Sequence, residues 1–120
     1  MSAASPTFTS KDRNVIRLFF MDLPGGAVSI HDGFWIRRWA SGVNKGQPKI
    51  RPAVQSMIAR GLVTVVDDGA RLPRALFTDA GFRALIEMAD DPWAFQPAER
   101  YSHLLAEIAE LRGTLSRNDR

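Results

Sequence analysis

The 120-residue sequence contains no cysteine, which excludes disulfide frameworks, thiolate metal sites and cysteine nucleophiles. Histidine is nearly absent as well. Neither His31 nor His103 has a second histidine or a cluster of carboxylates at ligand spacing, so no metal site is predicted. Glycine-rich phosphate-binding motifs and the Gly-x-Ser-x-Gly nucleophile motif are also missing. The sequence therefore favours a protein that is not an enzyme and that needs no cofactor.

Long apolar runs are missing too. No stretch approaches the roughly 20 apolar residues that cross a bilayer, and residues 1–10 are small and polar, unlike a signal peptide. We therefore expect a cytoplasmic protein with no membrane contact. The chain is 45% hydrophobic and 24% charged, an ordinary composition for one globular domain that can bury its own core.

Acidic residues are absent from residues 33–66, although the whole chain contains 13 of them. We call this segment the acid-free block. Its formal charge of +6 comes from Arg37, Arg38, Lys45, Lys49, Arg51 and Arg60. Such a local excess indicates a face that attracts polyanions, the alternative being a merely solvated basic surface.

Helical spacing of apolar residues predicts a first helix that begins near Thr9 and Ser10 and ends before Pro24. A second helix is predicted from Ser29, because a serine with an acid three residues later resembles a capping box. That helix would expose Phe34 and the neighbouring arginines. Its buried side would consist of Trp35, Ile36, Trp39, Ala40 and Val43.

A third helix is predicted from about Ile50 to Arg60, with Pro52 in its first turn, where proline needs no donor. Its buried stripe would be Ile50, Val54, Met57 and Ile58. Two strands, 62–66 and 71–77, follow as a hairpin. Thr78 would then cap a fourth helix that buries Phe82, Leu85, Ile86 and Ala89.

The last predicted helix, residues 98–115, carries an apolar stripe with the spacing of a coiled-coil seam. We expect this stripe to form a homodimer interface, although it could instead pack on the chain's own core. The stripe consists of Tyr101, Leu104, Ile108, Leu111 and Leu115. The predicted organisation is a flexible N-terminus (1–9), a DNA-binding domain (10–89), a linker (90–97), the dimerisation helix (98–115) and a tail (116–120).

The predicted element order, three helices, a hairpin and a helix, is that of a winged helix-turn-helix domain. Residues 50–63, IRPAVQSMIARGLV, resemble the recognition helix and following strand of MarR-like and PadR-like bacterial regulators. Residues 77–85, FTDAGFRAL, are similar to the pattern those families place after the wing. The resemblance covers residues 12–89. Pro48, Pro52 and the long loop through Lys45 depart from it.

The resemblance implies a mainly α fold with a small β-hairpin (α+β) and a transcription regulator that binds double-stranded DNA as a winged-helix homodimer. In that interpretation Arg51 and Gln55 read base edges, Ser56 contacts bases or phosphate, and the wing, residues 67–74, reaches the flanking backbone or the minor groove. The predicted DNA contacts are Arg37, Arg38, Lys45, Gln47, Lys49, Arg51, Gln55, Ser56, Arg71 and Arg74.

Two alternatives stay open from the sequence. Winged helices also serve as protein-interaction modules, in which the acid-free block would meet an acidic partner and an exposed Phe34 would act as an anchor. A DNA-binding accessory factor of a phage or mobile element would have the same sequence features. A small-molecule effector near Trp35 and Trp39 is possible, but large aromatics at this spacing are more often core.

Overall fold

The computed structural model describes residues 7–21, 29–69 and 72–118, with side chains described as far as residue 114. Over these ranges the elements are α1 (Ser10–Phe20), β1 (Phe34–Trp35), α2 (Pro52–Ala59), β2 (Val63–Val66), β3 (Arg74–Phe77), α3 (Asp79–Ala89), a 3-10 helix (Ala98–Tyr101) and α4 (Ser102–Asn118). The strands form an antiparallel sheet in the order β1, β3, β2. The mixed α+β class is thereby confirmed.

Helix α1 begins where the sequence predicts, because its first turn carries a complete capping box. The backbone N–H of Thr9 donates to Asp12 Oδ2 over 2.9 Å, and the N–H of Asp12 donates to Thr9 Oγ1 over 3.2 Å. The helix buries Val15, Ile16 and Phe20. It ends at Phe20, earlier than the predicted end before Pro24, because Met21 is already extended.

The predicted second helix is wrong. After a turn at residues 30–32 the chain is extended, and β1 pairs with β3. Successive side chains of an extended chain point to opposite sides, so Phe34 and Ile36 are buried while Trp35 and Trp39 are 43% and 40% exposed. The helical interpretation had placed Phe34 on the exposed side and the two tryptophans on the buried side.

Two features end the helical turn that Ser29 begins. Gly33 has a φ of +70°, and a Cβ atom there would lie 2.0 Å from the carbonyl oxygen of Ala75 in β3, so the chain turns sharply and enters the sheet. The Ser29 hydroxyl donates to Glu107 of α4 over 2.5 Å, and the same carboxylate accepts the N–H of Ile30. A contact with α4 therefore takes the place of a capping box.

Helix α2 forms with the predicted faces. Pro52 occupies its first position and Arg51 is the N-cap residue. Val54 and Met57 are fully buried, whereas Ile50 and Ile58 are only half-buried. The opposite side of the helix is exposed, as predicted.

The two segments that carry the family resemblance pack against each other. Thr78 Oγ1 donates to the carbonyl oxygen of Gly61 over 2.5 Å, and the Thr78 N–H donates to that of Leu62 over 3.1 Å. The same threonine caps α3 by accepting the Gly81 N–H. A Cβ atom on Gly81 would lie 2.0 Å from the Leu62 carbonyl oxygen, so glycine allows α3 to approach the start of β2.

The stripe of α4 is used within the chain, which corrects the predicted dimer interface. Tyr101, Leu104 and Ile108 are buried in the protein's own core, and Leu111 packs against it half-buried. The side chain of Leu115 lies outside the described residues. The buried side chains of the stripe are therefore unavailable to a partner, because α3 and the preceding segment already cover them.

Residues 90–97 connect α3 to the last helices and are themselves packed. Asp91 forms an ion pair of 2.8 Å with Arg13 of α1, and Arg17 donates to the carbonyl oxygen of Ala94 over 2.9 Å. The Trp93 N–H and then Arg13 hold the pKa of Asp91 below its ordinary value. Since Phe95 is buried beside Tyr101, the C-terminal helices and the preceding elements share one core.

Candidate nucleic-acid interface

Residues 37–49 form a hairpin in place of the predicted helix, and we call it the 37–49 hairpin. The Lys49 N–H donates to the Arg37 carbonyl oxygen over 2.6 Å, and the Trp39 N–H donates to that of Gln47 over 2.9 Å. Lys45 lies at the exposed turn of this hairpin, while Lys49 lies at its base, two residues before the α2 N-cap. The hairpin and α2 together therefore hold most of the cations of the acid-free block.

Arg38, one of the predicted phosphate contacts, is held by an acidic partner within the fold. Its guanidinium group makes a two-pronged contact with Asp67, over 2.6 and 2.9 Å, and also donates to the Gly46 carbonyl oxygen. The hydrogen bond from Arg38 holds the pKa of Asp67 below its ordinary value, and the same bond raises the pKa of Arg38. Arg38 thus ties the 37–49 hairpin to the end of β2.

Arg60 is also occupied internally. It pairs with Asp12, whose side chain is 1% exposed, and donates to the carbonyl oxygen of Thr7 over 2.7 Å. Within the described residues the other cations of the block form no ion pair. The six cations less these two leave four that are exposed: Arg37, Lys45, Lys49 and Arg51.

The exposed face of α2 carries the residues predicted to read bases. Arg51, Gln55 and Ser56 are all exposed. Gln55 Nε2 donates to the Ile50 carbonyl oxygen over 3.0 Å, and Ser56 Oγ accepts from Arg60 over 3.2 Å. Gln55 therefore keeps its second amide N–H and its Oε1 for contact with a base. Gln47 is exposed on the neighbouring hairpin.

The predicted wing contacts are only partly described. Arg71 lies outside the described residues. Arg74 is the first residue of β3 and pairs with Val66, the last residue of β2, so it flanks the hairpin turn as predicted, and its contact with DNA stays a prediction. Its guanidinium carbon is 5.6 Å from the centre of the Trp35 ring, because residues 35 and 74 are paired across the sheet. Arg74 thus forms a cation–π contact with Trp35 of β1.

A cleft of about 830 Å³ opens between the end of α1, β1, the 37–49 hairpin and α2. We call it the aromatic groove. Phe34, Ile36 and Val54 are its buried members. Its exposed or half-buried apolar lining includes Phe19, Trp35, Trp39 and Leu72, and its cations are Arg37, Lys49 and Arg51. No aspartate or glutamate lines it among the described residues.

The tryptophans are the site residues that the sequence interpretation placed in the core. A usable signal was present, since Trp35, Arg37 and Trp39 alternate at intervals of two, the period of an extended chain. Gly33 directly before this pattern argued against a continuing helix. The capping signal at Ser29 and the equally regular helical spacing of the apolar residues favoured a helix over an extended chain.

No family model, curated protein or solved structure matches this chain. Within the part of the chain that the structure describes, no helix has both the length and the apolar character to cross a membrane. The same residues contain no group of three or more histidine, aspartate or glutamate side chains placed to hold a metal ion.

Proposed function

We propose that the protein binds DNA through the exposed cations of the 37–49 hairpin and α2, and that it acts as a transcription regulator. The observation that carries the proposal is the set of four exposed cations on two adjacent elements, with no acid anywhere in residues 33–66. Phosphates bind such a surface without regard to sequence, since the affinity comes from counterion release. The regulatory role rests on the resemblance to winged-helix regulators.

In this proposal α2 enters the major groove with Arg51, Gln55 and Ser56 towards the base edges. Arg51 precedes a helix of eight residues whose first turn contains no acid, so its charge and the helix N-terminus act together on a nearby phosphate or guanine. Lys45 and Lys49 contact the backbone beside it. The 37–49 hairpin takes the position that a second helix has in a helix-turn-helix domain.

Homodimer formation stays a prediction. Since the chain buries Tyr101, Leu104 and Ile108 itself, a dimer would use other residues than these. The proposal requires only that one chain present the basic surface to DNA.

The experiment is a titration of a labelled duplex by fluorescence anisotropy at several salt concentrations. Arg37→Ala, Lys49→Ala and Arg51→Ala should each weaken binding. Each should also make the negative slope of log K against log salt shallower by about 0.9 per lost contact. Lys11→Ala is the matched control, because it removes an exposed cation outside the acid-free block. Equal effects of Lys11→Ala and Lys49→Ala would argue against a defined surface.

An acidic protein partner is the second candidate. The exposed Trp35 and Trp39 beside cations favour it, since an apolar anchor flanked by carboxylates would fit them. The anchor that the sequence suggested, Phe34, is buried and is excluded from that role. Little affinity of the wild type for duplex at low salt, together with binding of an acidic peptide, would favour this candidate over DNA.

A further inference from the structure

The exposed side of the extended segment 35–39 carries a tryptophan, an arginine and a tryptophan. Trp35, Arg37 and Trp39 are all exposed, while Phe34 and Ile36 between them are buried. At a rise of roughly 3.3 Å per residue, the two tryptophans are separated by roughly 13 Å along the segment. That spacing is too wide for both rings to clasp one flat group, so each ring offers its own stacking surface.

Each of these rings already has a cation near it. Lys49 Nζ lies 5.0 Å from the centre of the Trp39 ring, and the Arg74 guanidinium carbon lies 5.6 Å from that of Trp35. The Arg51 guanidinium carbon is 5.4 Å from the Phe19 ring, which also lines the aromatic groove. Arg74 lies outside the lining of the groove, whereas Lys49 and Arg51 lie beside aromatic rings within it.

A ligand that satisfies this lining must offer flat aromatic faces and negative charge in alternation. A nucleic-acid strand does so, since each nucleotide joins a base to a phosphate. In an intact duplex the faces of the bases are covered by their stacked neighbours, and only phosphates and groove edges are accessible. Tryptophan rings can stack only on bases that are unpaired and unstacked.

We infer that the aromatic groove binds unpaired bases of single-stranded DNA, with Trp35 and Trp39 each stacking on one base and with Arg37 and Lys49 holding the intervening phosphates. This inference rests on the proposed DNA-binding function and names the form of DNA that the site prefers. The exposed residues of α2 beside the groove contact the adjoining duplex. The preferred substrate is then a duplex with a locally open segment.

The test compares a mixed-sequence duplex, the same duplex with an internal run of unpaired thymidines, and single-stranded oligothymidine. Trp93→Phe serves as the parent protein, because Trp93 is highly exposed and does not line the groove, so that the remaining fluorescence reports on Trp35 and Trp39. Both DNAs with unpaired thymidines should quench this fluorescence. They should also bind more tightly than the intact duplex.

Trp35→Ala and Trp39→Ala should each weaken binding to oligothymidine by about 5-fold to 150-fold, the range that loss of one stacked base produces. Binding to the intact duplex should change little. Trp39→Phe, which keeps an aromatic face, should retain most of the affinity that Trp39→Leu loses. Circular dichroism shows whether each variant is folded. If a variant does not fold, quenching in the Trp93→Phe parent still tests whether the tryptophans stack on bases.

The outcomes separate the two claims. A protein that binds intact duplex as tightly as oligothymidine, shows no quenching and is unaffected by Trp35→Ala or Trp39→Ala overturns the inference and leaves the DNA-binding proposal standing. A protein that binds none of the three DNAs at low salt overturns both. Tight binding to oligothymidine that both alanine variants weaken, together with measurable binding to the intact duplex, supports both.

Discussion

Arg37 and Arg38 are neighbours in the chain, yet the structure gives them different tasks. Arg37 is exposed at the aromatic groove, whereas Arg38 is held by Asp67 and by the carbonyl oxygen of Gly46. The same division separates the two arginines that flank α2. Arg51 is exposed at the N-terminus of the helix, and Arg60 at its C-terminus binds the buried Asp12. Exposure, more than residue type, decides which cations remain for a polyanion.

Arg60→Ala should destabilise the fold by about 2 to 3 kcal/mol, because it leaves the buried carboxylate of Asp12 without its cation. The estimate lies at or below the lower end for fully buried pairs, since the Arg60 side chain is 30% exposed. Urea denaturation measures the loss. Arg51→Ala, at the other end of the same helix, is the control and should change stability by no more than about 0.5 kcal/mol. Equal stability of the two variants would contradict the assigned roles.

At the scale of elements, the Arg38–Asp67 ion pair links the 37–49 hairpin to the turn after β2. Asp67 follows β2, and its carboxylate reaches back to Arg38 while also accepting the N–H of Gly69. The pair adds to the pairing of β1 with β3 and to the bond from the Ile36 N–H to the Pro73 carbonyl oxygen, which also hold the hairpin beside the sheet. Loss of the pair should therefore loosen the hairpin that carries Lys45 and Lys49 while leaving the helices in place.

Asp67→Asn should lower the urea midpoint at pH 7 by removing this ion pair. The pKa of Asp67 is lowered in the folded protein, so the stabilisation is fully present above the ordinary aspartate value of about 3.9 and is lost as the pH falls through the folded value. The difference between wild type and variant should thus shrink below about pH 4. Glu110→Gln, on the exposed side of α4, is the control and should show no such convergence. A difference that persists unchanged at low pH would rule out the ion pair as its source.

At the scale of the whole molecule, α4 closes the core and is not an appendage. The buried cluster draws its members from α1, the sheet, α2, α3 and α4, and the Ser29 and Ile30 contacts with Glu107 tie the start of the β1 segment to α4. Removal of α4 would therefore expose apolar side chains of the other elements.

Leu104→Ala should cost about 2 to 5 kcal/mol of stability, the range for truncating a fully buried leucine. The neighbouring Leu105 is half-buried, so Leu105→Ala should cost distinctly less. Thermal denaturation compares the variants, and sedimentation reports their assembly state. A Leu104→Ala protein with wild-type stability that dissociates from a wild-type dimer would restore the stripe as a dimer interface.

Elements whose signals are local can be predicted from the amino-acid sequence alone. Thr9 and Thr78 cap α1 and α3 because their hydroxyls reach N–H groups three residues on, and Pro52 begins α2 because its missing donor costs nothing there. Such signals involve neighbours within one helical turn. They need no knowledge of the rest of the chain, so the starts of α1 and α3 could be predicted closely, whereas α1 ends before its predicted end and α2 begins two residues after its predicted start.

Only the tertiary structure decided the form of residues 34–39, because their apolar and charged residues fit both a helical and an extended period. Pairing with β3, some 40 residues away in the register of Trp35 and Arg74, selected the extended form and turned the tryptophans outward. The tertiary structure also determined which cations of the acid-free block remain without an acidic partner among the described residues. Arg38 and Arg60 pair with acidic residues that lie 29 and 48 positions away in the sequence. A positive charge is cancelled only by a partner that folding brings within a few ångströms.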